Sequence, residues 1–518
     1  MMVKTKMCVL TVFATLLTPS LFSTDLDVLN ATDLRAEVRP GGVDGRPFWN
    51  VCAKQFLYAP SFDFKPVSGV ADYRFVVKDA KGVEHAFAAK SPQASLAPVW
   101  KEMPSGPSVV RVLANGKEIG VRSFHRAAPF APGAYAPAKC GYVECADRAL
   151  EWMFRNAWVT NWASGTIDKT YQLNCFPSKM TSATIDAMIV YAGRHPDRRE
   201  RAMRIARGAA DWMMAQAVKA PEAMRGLPIT YCDYWEETKA MGDPWRSKEI
   251  AHAKRDQVMM IYPAYVAQAF LRLWKETKDS RYFDFAKNVA DRYLGLQRAD
   301  GSWALVLQFP SGREMFGNEA DATVICTFLD EVSSVTGDRR YREASDRAVP
   351  SMLRRLVSFD WEGQFEDVDV QKRPYSNLSK HIAADTMIYL LRRFPDGRYL
   401  KDAREVLRFA EDQFVIWADP AVCSWFVPGV IEQYNCAVTI DASYAKMISF
   451  YLALYAVEKN PLDLAKARAL GDAITRNQQP DGLIPTVFPC DKSRMGRNWL
   501  NCMVATSRAL CELEKSTF

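Results

Sequence analysis

A repeat constrains this chain more than any other feature. Asp279-Ser-Arg-Tyr282 recurs as Asp338-Arg-Arg-Tyr341 and Asp396-Gly-Arg-Tyr399, at spacings of 59 and 58 residues. Weaker copies begin at Asp197 and Asn460. Each copy puts Asp or Asn at a helix N-cap, where a side-chain oxygen accepts from an otherwise unpaired backbone N–H. An apolar helix is expected before each copy, over 182–193, 257–275, 321–335, 382–393 and 441–457. A unit of this size is one helical hairpin, which buries its apolar face only against neighbouring copies. Five hairpins are expected, with lone helices at about 145–158 and 499–514. If those two helices pair, a ring of six inner and six outer helices closes. The long interval from Asp197 to Asp279 leaves a seventh hairpin open.

Before the repeats the period is different. Between Arg46 and Pro129, apolar residues alternate in Asp72–Lys78, Ser108–Leu113 and Glu118–Phe124, and Asn115-Gly116 separates the last two runs. Asn-Gly between alternating runs marks a β-hairpin. A small β-sandwich resembling a fibronectin type III or immunoglobulin-like module is expected at 46–129. A proline-bearing linker is expected at 130–139 and the helical region at 140–518. At the start, Lys4 and Lys6 precede an apolar run from Met7 to Phe22, the pattern of a secretory signal over 1–23. An N-terminal linker is then expected over 24–45, and the product is expected to be secreted or periplasmic. No later run in the sequence is long and apolar enough to span a membrane.

The helical region resembles the (α/α)6 toroid of six-hairpin glycosidases and related uronate polysaccharide lyases. The hairpin count carries the resemblance, together with the turns Gln297-Arg-Ala-Asp-Gly-Ser-Trp303 and Gln478-Gln-Pro-Asp-Gly482. It covers about 375 residues and implies a mainly α chain, a toroid preceded by the β-sandwich. It also implies a carbohydrate-active enzyme.

Loop lengths indicate where the chemistry sits. Connections from inner to outer helix are short. Those from outer to inner helix are long, at roughly 159–181, 218–256, 297–320, 356–380, 415–440 and 477–498. Long loops within a compact domain are usually functional, and all six fall at one end of the ring. They hold aromatics whose faces can stack on sugar rings and amides or cations that can bind sugar hydroxyls and acids. The candidates for substrate binding are Trp361, Arg373, Tyr375, Asn377, Trp425, Tyr231, Trp235, Trp499 and Asn501.

Two chemistries suit these loops. Glycosidic hydrolysis needs one protonated and one ionised carboxyl, and Glu366, Asp367 and Glu432 lie on adjacent long loops. β-Elimination at a uronic acid needs a carboxylate neutraliser, a base and an acid. Arg373, Tyr375, His381 and Tyr434 supply those residue types. Asp441 is read as an N-cap. His252 ranks behind His381, and His195 falls at the opposite end. Hydrolysis of a uronic-acid-containing glycan is the leading expectation, ahead of a lyase, a non-catalytic glycan-binding protein and an epimerase. The tilt towards an acidic saccharide rests on Arg225, Arg246, Lys372, Arg373, Lys380, Arg494 and Arg497.

The net charge of +7 is small for 518 residues and excludes the basic footprint of nucleic-acid binding. Twelve scattered cysteines include no CxxC pair, and a Cys140–Cys145 disulfide is left open. The sequence contains no phosphate loop, Rossmann fingerprint or EF-hand spacing. No cofactor and no metal are therefore expected, since Glu366, Asp367 and Asp369 lack the rest of a Ca²⁺ ligand pattern.

Overall fold

Asp279 and Asn460 cap helices and Asp338 directly precedes one, whereas Asp396 closes a turn ahead of the helix that starts at Leu400, and Asp197 lies in a 3₁₀ turn. Asp279, Asp338, Asp396 and Asn460 each accept from the backbone N–H two residues on, at 3.0–3.1 Å. In the first three copies the Arg at that position also folds its guanidinium back onto the capping carboxylate. The repeat's Tyr fills the seam between outer helices. Tyr282 and Tyr341 are fully buried, and their hydroxyls donate to Asp211 and Asp291 of the preceding outer helix.

The computed structural model describes residues 21–34, 55–233, 247–357, 361–368, 378–418, 426–434, 436–489 and 498–516. Twelve helices build the ring. In chain order they are α1 (Tyr142–Arg155), α2 (Pro177–Arg194), α3 (Arg199–Gln216), α4 (Ile261–Thr277), α5 (Ser280–Leu296) and α6 (Ala322–Thr336). There follow α7 (Arg339–Val357), α8 (His381–Arg393), α9 (Leu400–Phe414), α10 (Asp441–Glu458), α11 (Pro461–Asn477) and α12 (Leu500–Lys515). Even-numbered helices are inner, and each packs on the next, with α12 returning to α2. Helix α1 packs on α12, so the two lone helices of the sequence form the sixth hairpin and the ring closes at six. Inner helices are buried almost all round, as α10 illustrates, whereas outer helices such as α1 and α9 are strongly amphipathic.

The N-terminal region forms a five-stranded sheet in the order Gln55–Phe56, Lys117–Arg126, Gly106–Ala114, Tyr73–Lys78, Glu84–Ala89. Asn115 and Gly116 both take positive φ in the two-residue turn between paired Ala114 and Lys117. A second layer amounts to two short paired strands, Ser61–Asp63 and Gln93–Ser95. The stretch expected as a linker at 24–45 is helical over Leu21–Asp33, and its Asn30 donates to the Phe130 carbonyl at 2.7 Å. Most of the expected signal, and the rest of that linker, lie outside the described residues. The segment at 130–139 is strapped to the ring. Phe130 packs edge-on against Trp417, and the Lys139 N–H donates to Thr475 Oγ1.

Cys140 and Cys145 are both free thiols, so the disulfide left open by the sequence is not formed. Among the described residues no helix is long and apolar enough to cross a membrane.

Candidate active site

Two small sheets rise at the end of the ring where the inner helices begin. One pairs Gln257–Met259, Ala304–Gln308 and Arg313–Glu319. The other pairs Val415–Ile416, Gly429–Gln433, Cys436–Ile440 and Val487–Phe488. Between them runs the segment 361–368, which is clamped along its length. Gln364 donates to the Glu319 carbonyl and accepts from the Asp321 N–H, both at 2.7 Å. Lys254 donates to the carbonyls of Glu366 and Val368, and the Tyr231 hydroxyl donates to the Glu366 carbonyl.

That clamp holds the Glu366 carboxylate against two donors, the Lys179 ammonium and the Tyr262 hydroxyl. Lys179 lies in the first turn of α2 and Tyr262 in that of α4. Burial works against the charge of Lys179, but Glu366 and Asp367 outweigh it and hold the ammonium above the usual lysine range. Tyr262 is pushed well above the ordinary phenol range by burial and by Glu366. Asp367 is pushed up to about 7, by burial first and by the charge of Glu366 second, against the pull of Lys179. Glu432, on the strand Gly429–Gln433, is also raised by burial, with Lys380 and Lys179 opposing. Lys380 is fully buried and pins that strand by donating to the Ile431 and Glu432 carbonyls and to Ser443 Oγ.

Beside this cluster an axial cavity of about 250 Å³ opens between the inner helices. Lys179, Tyr262, Asp321, His381, Glu432 and Trp499 line its upper level, with Asn501 beside them. Asp186, Tyr265, Asp385, Lys446 and Arg508 line it further along the helices. Glu432 therefore faces the cavity, whereas Glu366, only 2 % exposed, sits behind Lys179 and Tyr262. Asp321 caps α6 and is pushed up to about 6 by burial and by Asp385. His381, the first residue of α8, is held well below the usual imidazole range by burial and by Lys380, Lys446 and Lys179, so it is neutral. Its ring packs edge-on against Phe365 and leaves Nε2 without a partner.

The other expected residues fall elsewhere. Trp361 is fully buried in the wall, its ring crossing Phe409 at 4.3 Å, and so offers no face to a sugar. Tyr231 is buried behind the carboxyl cluster, where it braces the Glu366 backbone. The Tyr434 hydroxyl donates to Gln413 at 2.5 Å and its ring stacks on Phe414, away from the cavity lining. Asp441 is the first residue of α10 and accepts from Thr506 Oγ1. His252 lies against Asp233 on an exposed short helix, and His195 packs on Tyr191 at the far end. Trp235, Arg373, Tyr375, Asn377 and Trp425 lie outside the described residues, as do Arg246, Lys372, Arg494 and Arg497.

Lys179, Tyr262, Tyr265, Asp321 and Asp385 were not singled out from the sequence. For Lys179 a signal existed, because Pro177 favours the first helical position and α2 starts there, ahead of the expected start at 182. Among the described residues no group of three His, Cys, Asp or Glu side chains is placed to hold a metal ion.

No known family description and no curated protein matches the sequence. Among solved structures, D-mannose isomerase superposes with a TM-score of 0.52 at 10% identity, over 72% of this chain and 97% of that one. The likeness settles the fold. A cellobiose 2-epimerase from Spirochaeta thermophila aligns over 72% of this chain and 96% of its own at 11% identity, with a TM-score of 0.49. A family 76 glycoside hydrolase from a bovine Bacteroides thetaiotaomicron strain aligns over 89% of this chain and 98% of its own at 10% identity, with a TM-score of 0.46. What is shared with the isomerase is the fold alone, and the chemistry rests with the cavity.

Proposed function

We propose that this protein is a carbohydrate-active enzyme that hydrolyses a glycosidic bond, with Glu432 as the acid that meets the substrate. One observation carries the reading. Glu432 lines the cavity, and burial raises its carboxyl above the usual range against the pull of Lys380 and Lys179. In the same cavity Asp385 is paired with Lys446, and it is the second carboxyl that hydrolysis requires. In this assignment burial sets the proton affinity of Glu432, with Lys380 and Lys179 pulling it down and Glu366 pushing it up. The shared toroid with D-mannose isomerase is a likeness of fold and leaves the reaction to these residues.

The described cavity does not favour an acidic sugar. Its cations Lys179, Lys446 and Arg508 are each already paired with a carboxylate. A uronate would depend on Arg373, Arg494 and Arg497, and export on the N-terminal signal pattern.

A second reading, proton abstraction at carbon as in elimination, is favoured by neutral His381 in the cavity lining, whose buried Nε2 has no partner among the described residues. A screen against neutral and acidic glycans, read for new reducing ends and for ultraviolet absorbance of unsaturated uronate, separates the two. Hydrolysis gives reducing ends without absorbance, and Glu432→Gln then lowers turnover by about 100-fold or more. Absorbance that survives Glu432→Gln and disappears in His381→Ala transfers the assignment to elimination.

A further inference from the structure

Apart from Asp385, the lower level of the axial cavity has a composition that cleavage by Glu432 does not account for. Tyr265, in the second turn of α4, is among the few large apolar side chains left exposed, at 41%. Yet it lines the cavity between the inner helices rather than the outer surface. Its ring lies 6.2 Å from that of Tyr262, tilted by 41°. An aromatic face left open inside a polar cavity is a platform for the C–H face of a flat ligand.

Polar groups ring that platform and are fixed before any ligand arrives. Asp186 is held by Arg272 at 2.7 and 2.9 Å and by Arg508 at 2.6 Å, which ties α4, α2 and α12 together. Asp385 and Lys446 tie α8 to α10 in the same way. Among the charged residues that line the cavity, these pairs lie furthest along the inner helices. Every cation in it has an anionic partner while carboxylate lone pairs remain, a wall suited to hydroxyl donors and unsuited to a free anion. The volume of about 250 Å³ lies below the usual ~300–1,000 Å³ of sites for larger ligands. It suits one sugar ring.

We infer that this lower level is a subsite for a single neutral pyranose at a chain end, stacked on Tyr265 and hydrogen-bonded by Asp385 and Asp186. The enzyme accordingly works from the end of its glycan and leaves internal linkages alone. The inference rests on the proposed function only for the cleavage step, because the binding step is independent of it.

Two experiments separate the parts. Saturation-transfer NMR and titration calorimetry with free D-glucose, D-mannose and D-galactose, beside D-glucuronate and D-galacturonate, report on the subsite. At least one neutral hexose is expected to bind, with affinity at least tenfold weaker in Tyr265→Ala and largely retained in Tyr265→Phe, which keeps the ring. A thermal melt of each variant checks the fold, and Asp385→Asn gives a second, volume-conserving variant with the same expected loss. Oligosaccharides labelled at one end then report on mode, and products are expected to shorten by one unit at a time. Hexose binding unaffected by Tyr265→Ala and Asp385→Asn overturns the subsite. Cleavage into mixed internal fragments overturns end-directed action while leaving hydrolysis intact. Tyr265-dependent hexose binding with no cleavage of any glycan leaves the subsite standing and removes hydrolysis.

Discussion

Glu366 shows how a loop side chain acquires its setting from residues far away in sequence. Its carboxylate is held by Lys179 and Tyr262, first-turn residues of two different inner helices. Removing the cation leaves a buried carboxylate facing Asp367 and Glu432, and like charges favour the protonated form. Because Lys179 also lowers the proton affinity of Glu432, Lys179→Met is expected to shift the alkaline limb of the pH–rate profile upward. Tyr262→Phe, which removes one hydrogen bond and no charge, is expected to shift it less. Asp412 allows the sign of such a shift to be read as stability. It is fully buried, accepts from the Leu57 and Tyr58 N–H groups at 2.5 and 2.8 Å, and is pushed up to about 7. Burial is the leading cause and outweighs those hydrogen bonds, which pull the other way. The folded state therefore holds this proton more tightly than the unfolded chain. Its contribution is complete below the ordinary carboxyl value of 3.8 and is lost as pH rises through about 7. Asp412→Asn keeps an acceptor for both N–H groups and removes the titration. In urea melts, the wild-type midpoint relative to this variant should fall between about pH 4 and about pH 8. A constant difference across that range would refute the assignment.

At the scale of elements, the Gln-x-x-Asp-Gly turns join one hairpin to the next. Gly301 takes φ +84°, and a Cβ there would lie 2.0 Å from the Arg347 carbonyl oxygen of α7. Gly482 takes φ +100°, with the corresponding atom 2.4 Å from the Arg148 carbonyl oxygen of α1. In both turns the Gln side chain donates across the seam, Gln297 to Ala344 and Gln478 to Cys145. Alanine at either glycine is expected to cost about 1–3 kcal/mol or more, since it meets both the positive φ and a backbone atom. A lowered denaturant midpoint would show this. These turns and the capping repeats were legible in the sequence because their work is local. Capping and tight turns need particular residues at particular offsets. Trp361 and Tyr231 were misread for the opposite reason. An aromatic on a long loop looks the same in sequence whether it packs into the wall or faces a ligand. Tyr265 escaped notice because an inner helix is apolar on nearly every side, so the sequence does not distinguish the position bordering the cavity. Asp385 was passed over because its partner Lys446 lies on the next inner helix.

In the whole molecule, the ring is joined by contacts between ends. Helices α1 and α12 form the sixth hairpin although they come from opposite ends of the helical region. The number of helices was readable, but the sixth pairing was an inference from the count, since no local signal spans such a distance. The N-terminal sheet meets the ring at Asp412, which accepts from Leu57 and Tyr58, and the 130–139 strap adds Phe130 against Trp417. The order of synthesis then matters. Helix α1 leaves the ribosome early and can pack on α2 at once, Phe154 on Tyr191, but the side that meets α12 stays uncovered until that last helix has been made. Five hairpins can stack as they emerge, but neither the Asp186–Arg508 pair nor the upper wall at Trp499 exists until then. A nascent chain halted before residue 500 should thus be sensitive to protease at 142–155 and unable to bind ligand, and release of the last helix should bring protection and binding together.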